Sequence, residues 1–174
     1  MSISRQNLSV VIVSFISEEV IHNCIKSIPK DIKIIVVDNS GNEKFKSSIE
    51  QKYNNIKCIL SSENLGMGAG NNLGLKYSST DYVLILNPDV ILENNTIDEL
   101  INASNKIESF GIIAPIVNSD KNINYKLFSK KKINPNFNNP FKVKSVDGFA
   151  MLLNKKKINQ IENFKNFKFF DENI

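Results

Sequence analysis

Five apolar runs recur along the chain: LSVVIVSF (8–15), IKIIVVD (32–38), IKCIL (56–60), DYVLILN (81–87) and FGIIAPIV (110–117). They are rich in Val and Ile and show no strict alternation with polar residues. Strands buried on both faces of a parallel sheet require that pattern. Between the runs, apolar residues return at helical spacing over 18–28, 43–53, 69–77 and 96–107. The first of these puts Val20, Ile21, Cys24, Ile25 and Ile28 on one face. The fourth opens with Asn95 or Thr96 as N-cap and carries Asp98 and Glu99 in its first turn, where the helix dipole favours negative charge.

Strand and helix alternate four times, which predicts an α/β fold. Its sheet is mostly parallel, helices cover both faces, and the crossovers are right-handed. After about residue 118 the pattern loosens. NPNFNNPF (134–141) reads as a loop, and VKSVDGFAMLLN (143–154) resumes as an apolar strand with a glycine near its start. At 174 residues, residues 1–174 are expected to form a single domain.

A 41% hydrophobic and 23% charged composition without Trp belongs to a globular chain. The net charge of +4 arises from 22 basic and 18 acidic residues that are interspersed, so it does not mark a nucleic-acid partner. The dense basic clusters, Lys130 to Lys132 and Lys155 to Lys157, lack interleaved aromatics. They read as solvated surface, with peripheral association to an anionic membrane as the alternative.

Cys24 and Cys58 have neither zinc nor disulfide spacing and fit reduced thiols in a cytoplasmic protein, with the inner face of the membrane as the other location considered. The first run is too short for a membrane span and leads straight into Glu18 and Glu19. His22 reads as an exposed surface histidine. Phe164, Phe167, Phe169 and Phe170 read as packing residues.

In parallel α/β sheets the ligand site lies outside the carboxyl ends of the strands. The residues there are polar: Ser14 after the first run, Asp38-Asn39-Ser40-Gly41 after the second, Ser61 to Asn64 after the third and Asn87-Pro88-Asp89 after the fourth. Asp38 either starts a turn, for which DNSG is suited, or accepts from a base imide or ribose hydroxyl. Gly66, Gly68, Gly70 and Gly74 suit close backbone approach or positive φ near a helix start that could face phosphate. Asn71 breaks the dinucleotide fingerprint, and the segment follows the third strand, which argues against hydride transfer. Pro88 ends the ladder and presents Asn87 and Asp89 as oxygen donors. They form either a strand-capping turn or half a site for Mg²⁺ or Mn²⁺, ions that complete their shells with substrate phosphates and water.

Five segments in this order, SVVIVSF, VVDNSGN, NLGMGAGNNLGLKYSSTDYVLILNPDV, VDGFAMLLNKKKI and FFDENI, make the chain resemble a family 2 glycosyltransferase of the GT-A fold. It is most similar to rhamnosyltransferase-type members that build bacterial surface polysaccharides. The resemblance implies inverting transfer of a sugar from a nucleotide-diphosphate sugar, a dTDP- or UDP-sugar, to a hydroxyl of a saccharide or lipid-linked acceptor. It further implies that Asp38 contacts the nucleoside and that Asn64, Gly66, Gly70 and Asn71 line the sugar-nucleotide pocket. Asn87 and Asp89 would hold the cation on the diphosphate.

Two departures from the family pattern matter. Asn87 stands where the common form has an aspartate, which shifts cation binding towards Asp89 and the substrate. The family's FDE element is followed by an acidic pair that supplies the general base. Here the chain reads Asp171-Glu172-Asn173-Ile174, so the base is expected beyond Ile174 and the catalytic residue is unknown. The expectation is a nucleotide-sugar-binding domain lacking its catalytic and acceptor portion, with Asp147 as an acceptor-side candidate. The rival classes are a non-catalytic nucleotide-sugar-binding module and a nucleotidyltransferase. The latter calls for a basic glycine-rich loop after the first strand, where this chain has VSFISEEV.

Overall fold

The structure is a computed structural model that describes residues 2–117, 123–128 and 139–158. Its element order is β1 (Leu8–Ser14), α1 (Glu18–Lys26), β2 (Lys33–Asp38), α2 (Glu43–Lys52), β3 (Ile56–Leu60), α3 (Gly66–Tyr77), β4 (Tyr82–Leu86) and α4 (Thr96–Asn105). There follow β5 (Ile112–Ile113), β6 (Tyr125–Lys126), β7 (Ser145–Val146), β8 (Ala150–Asn154) and α5 (Lys155–Ile158). The main sheet has the order β3-β2-β1-β4-β8-β5, and β6 pairs with β7 in a separate small ribbon. β3, β2, β1 and β4 run parallel, whereas β8 is antiparallel to both β4 and β5.

Alternation along the strands splits the core between two faces. Val10, Ile12, Ile34, Val36, Leu84 and Leu86 meet Ile21, Cys24 and Ile25 of α1, Phe45 and Ile49 of α2, and Ile97, Leu100 and Ile101 of α4. Val11, Val13, Ile35, Val37, Val83 and Ile85 line the other face with Met151, Leu153 and Ile158. All seven residues of β1 are buried, as the central strand of such a sheet demands.

α3 covers the second face at close range. A Cβ added at Gly70 would lie 2.8 Å from Cγ1 of Val13, and one at Gly74 would overlap Val11. Small residues at four-residue spacing therefore let this helix settle directly on β1. Because Gly70 sits over Val13 and Gly74 over Val11, the N-terminus of α3 points to the carboxyl edge of the sheet.

The later segments differ from their sequence reading. The 110–117 run contributes only the two residues of β5, at the sheet edge, paired to the antiparallel β8 and so running in the direction of β4, with Ile112 exposed. The 143–154 run divides at Val146, because a turn at Gly148 and Phe149 separates the ribbon from β8. Val20, assigned to the buried face of α1, is exposed. His22 is half-buried, its Nδ1 lying 3.1 Å from the Tyr53 hydroxyl across α1 and α2. Burial lowers its pKa, with Lys52 and Lys26 adding to the effect. Asn95 does precede α4, but in the left-handed region (φ 70°) and without a side-chain cap bond. Both cysteines are free and buried. The four phenylalanines of 164–170, the FDE element and residues 134–138 of the expected loop lie outside the described residues. Among the described residues, no helix is long and apolar enough to cross a membrane.

Candidate functional site

The polar residues anticipated at the strand ends share one edge of the sheet. Ser14 is the register partner of Asp38 across β1 and β2. On the other side of β1, Ile12 pairs with Leu86, so Asn87 emerges beside the same strand end. Two strand spacings of about 4.8 Å thus separate the Asp38 strand from the Asn87 strand. Asp38 and the Asn87-Pro88-Asp89 segment flank a common rim.

Asp38 is 1% exposed. Its carboxylate accepts from the Ser40 hydroxyl at 2.9 Å and from the Asn42 backbone N–H at 2.8 Å. Asn42 in turn caps α2, its side chain accepting from the N–H groups of Lys44 and Phe45. The turn role of DNSG is therefore realised. It fixes the carboxylate at the rim by bonds from its own loop, the geometry expected of a preorganised acceptor.

Around this rim lie buried polar atoms without hydrogen-bond partners among the described residues: Ser14 Oγ, Asn39 Oδ1, both polar atoms of Asn71, and Asn87 Oδ1. A buried polar atom left unsatisfied costs about 1–3 kcal/mol, so natural cores rarely gather several in one place. These five atoms belong to the ends of β1, β2 and β4 and to the first turns of α3. Asn39 was not singled out from the sequence. Alternation puts residue 39 on the face opposite Asp38, where its Nδ2 donates to the Gly66 carbonyl at 3.0 Å.

α3 begins at Gly66, three residues earlier than the sequence suggested, so Gly66 and Gly68 belong to the helix itself. Gly66 takes φ +72°, which a side chain would resist, and its N–H is held by Asn64 Oδ1 at 3.0 Å. Asn64 and Gly66 are exposed, while Gly70 and Asn71 are buried. The first turn of α3 carries no acidic residue, so no side-chain charge there opposes an anion at the helix N-terminus.

Beyond β4, the Asn87 N–H donates to the Phe149 carbonyl at 2.9 Å. Asp89 is exposed. Its negative charge, together with the larger effect of burial, pushes the Cys24 thiol up to about 12. Among the described residues no group of three or more His, Cys, Asp and Glu forms a protein cage for a metal. The donor set that exists is one unpartnered amide oxygen and one exposed carboxylate. Two hard oxygen donors fit Mg²⁺ or Mn²⁺ shared with a diphosphate and do not fit a structural zinc.

Asp147 is exposed between β7 and β8, its N–H bonded to the Asn124 carbonyl at 2.9 Å. It lies two residues before Phe149, whose carbonyl holds Asn87, and so stands on the β8 side of the rim.

A mostly parallel sheet with a polar rim at the carboxyl ends of its strands and a carboxylate loop after β4 is the architecture of an open α/β protein. The family model for glycosyl transferase family 2 matches residues 9–162, and the chain belongs to that family. A low-salt glycan biosynthesis hexosyltransferase, Agl10, of Haloferax volcanii is 34% identical over 113 residues, covering 63% of this chain and 36% of that protein. An uncharacterized glycosyltransferase of Rickettsia prowazekii is 33% identical over 95 residues, covering 55% and 30%. The chain thus spans 36% and 30% of the length of these curated relatives.

Among solved structures, the mannosyltransferase PcManGT of Pyrobaculum calidifontis, in complex with GDP-Man and Mn²⁺, superposes with a TM-score of 0.65 at 12% identity. That match covers 90% of this chain and 46% of the other. S. aureus TarS 1-349 gives a TM-score of 0.61 at 18% identity over 88% and 48% of the two chains. The fold is GT-A, as the sequence motifs implied.

Proposed function

We propose that this chain is the donor-binding domain of an inverting glycosyltransferase. It would transfer a sugar from a dTDP- or UDP-sugar to a hydroxyl of a saccharide or lipid-linked acceptor in surface polysaccharide synthesis. The observation that carries this reading is the set of unpartnered buried polar atoms on Ser14, Asn39, Asn71 and Asn87, all at the rim that also holds Asp38. Membership of the family supports sugar transfer, and solved structures of similar fold contain GDP-Man with Mn²⁺ or UDP-GlcNAc.

In this reading Asp38 accepts from the nucleoside, and the Ser40 and Asn42 bonds keep it oriented when no ligand is present. Asn39 and Asn71 offer amide groups to the sugar nucleotide from the α3 side. The α3 N-terminus, with Asn64 and Gly66 at its start, faces the diphosphate. Asn87 and Asp89 would hold Mg²⁺ or Mn²⁺, which neutralises the charge developing on the departing diphosphate. An acceptor hydroxyl attacks the anomeric carbon from the opposite face, and its proton passes to a general base. Asp147 stands on the acceptor side, and the base itself is assigned outside the described residues. Rhamnosyl-type specificity and action at the inner membrane face belong to the same proposal.

Calorimetric titration with UDP- and dTDP-sugars, with and without Mn²⁺, tests it. Binding by one of them that strengthens with Mn²⁺ and is lost in Asp89→Ala is expected. Binding of neither refutes the proposal. A transfer assay then separates a complete enzyme, which turns over, from a binding module, which does not.

A further inference from the structure

The segment that follows β4 does not stand free at the rim. It lies across α1 and is gripped there at two points. The Asn87 carbonyl accepts from the Val90 N–H at 3.2 Å and from the Cys24 thiol at 3.5 Å. Three residues further along, the Ser27 hydroxyl donates to the Cys24 carbonyl at 2.6 Å and accepts from the Leu92 N–H at 3.0 Å. Residues three apart on a helix share a face, so one face at the C-terminal end of α1 reaches both ends of the 87–92 segment. Apolar packing completes the hold, because Leu92 is buried in the core that contains Cys24 and Ile25, and Val90 packs against that core.

Ser27 closes the C-terminus of α1, and a hydroxyl bonded to the carbonyl three residues back is a common way to finish a helix. The Leu92 contact is different. It joins residues 65 positions apart and gives the loop backbone a partner that no helix requires. Ser104 provides the comparison: its hydroxyl makes the same bond to the Ile101 carbonyl in α4, and among the described residues it makes no hydrogen bond to the 87–92 segment.

We propose that Cys24 and Ser27 are positioning residues which clamp the Asn87-Pro88-Asp89 loop from behind and so set how tightly it holds a divalent cation on a diphosphate. This rests on the donor-binding function proposed above. Neither residue touches the ligand. Each acts through the backbone of the loop, fixing the direction in which the Asn87 amide and the Asp89 carboxylate are presented. A loop bound at both ends loses less conformational freedom when the ligand orders it, and the affinity rises accordingly.

The test uses the 174-residue chain with Ser27→Ala, Ser27→Thr, Cys24→Ala and, as a control for helix-end stability, Ser104→Ala. Two readouts are taken. The first is amide exchange at Val90 and Leu92 without ligand. The second is the Mn²⁺ concentration at half-effect for binding of UDP or dTDP, whichever the parent binds. Loss of one neutral hydrogen bond predicts that Ser27→Ala speeds exchange and raises the Mn²⁺ midpoint by about fivefold each. Nucleotide affinity without metal stays unchanged, Ser27→Thr restores both readouts, Cys24→Ala shifts them in the same direction, and Ser104→Ala shifts neither. Unchanged exchange at Leu92 in Ser27→Ala overturns the clamp. Faster exchange with an unmoved Mn²⁺ midpoint overturns its role in cation binding. If the parent binds no nucleotide with Mn²⁺, the donor-binding function fails and the cation role with it, while exchange still decides separately whether α1 holds the loop.

Discussion

Ser14 and Asp38 are register partners at the ends of β1 and β2, equally buried, yet only one of them is satisfied. The Ser14 hydroxyl has no partner, whereas the Asp38 carboxylate takes bonds from Ser40 and Asn42. The pair therefore combines a fixed acceptor with an uncommitted hydroxyl on the same rim, an arrangement suited to a ligand carrying both a donor and an acceptor.

Turn and ligand roles of Asp38 can be separated by mutation. Asp38→Asn keeps an oxygen for the Asn42 N–H but loses the charge, so stability should fall by about 1–2 kcal/mol. Nucleotide affinity should drop at least tenfold if the carboxylate meets the nucleoside. Ser40→Ala removes one bond to Asp38 and should lower stability by about 1 kcal/mol with affinity nearly intact. Denaturant melts paired with calorimetry give both quantities. Equal losses of affinity in the two variants would leave Asp38 with a turn role alone.

The close seat of α3 is a second measurable relationship. A methyl at Gly74 collides with Val11, a buried β-branched residue with little rotamer freedom. The collision should exceed the roughly 1 kcal/mol that alanine gains over glycine within a helix. Gly74→Ala should therefore destabilise by about 1–3 kcal/mol as an overpacked core does. Combining it with Val11→Ala should give a loss smaller than the sum of the two single variants, since the added methyl then fills the space that Val11 leaves. Strict additivity would mean that the helix shifts away instead.

These residues also show where sequence reading succeeds. The four parallel strands were legible because burial on both faces forces Val and Ile at successive positions, as in Val10 to Val13. The rim was legible because Ser14, Asp38 and Asn87 place polar side chains at the carboxyl ends of three neighbouring runs. Strand direction left no such mark. Ala150 to Asn154 is as apolar as β1, yet it enters antiparallel between β4 and β5, because side-chain pattern reports burial and not polarity of the chain. Gly70 and Gly74 carried an ambiguous signal: a glycine that admits a ligand and one that admits a neighbouring strand look alike until Val11 and Val13 are placed beside them. Asn39 and the grip of Ser27 on Leu92 depend on tertiary contacts that no local spacing reveals.

The two thiols give a pH signature. Burial is the main cause pushing both Cys24 and Cys58 from 9.0 up to about 12. A raised folded-state pKa means that the native chain holds the proton more tightly than the unfolded one. The resulting stability is fully present below the unfolded value near 9.0 and is lost as pH rises towards 12. Chemical denaturation should show a decline across that window which is smaller in Cys58→Ala than in the parent when each is referred to its own value at pH 8. An identical slope in both would show that Cys58 ionises as readily in the folded chain as in the unfolded one.

Asn87 offers the most direct test of the proposed cation site. Its side-chain oxygen is buried and unpartnered, and Asp89 beyond Pro88 is exposed. Replacing the amide by a carboxylate in Asn87→Asp puts a charge where water does not reach, so the ligand-free protein should lose about 1–3 kcal/mol of stability. A divalent cation that binds only the folded state returns stability in proportion to its affinity. Mn²⁺ with UDP or dTDP should therefore raise the melting temperature of Asn87→Asp by more than that of the parent. Asp89→Ala, which removes an exposed group, should melt like the parent without metal and gain nothing when metal is added. Thermal melts with and without Mn²⁺ on the three proteins decide the matter. A metal-induced shift that survives in Asp89→Ala, or that is no larger in Asn87→Asp than in the parent, would place the cation away from this loop.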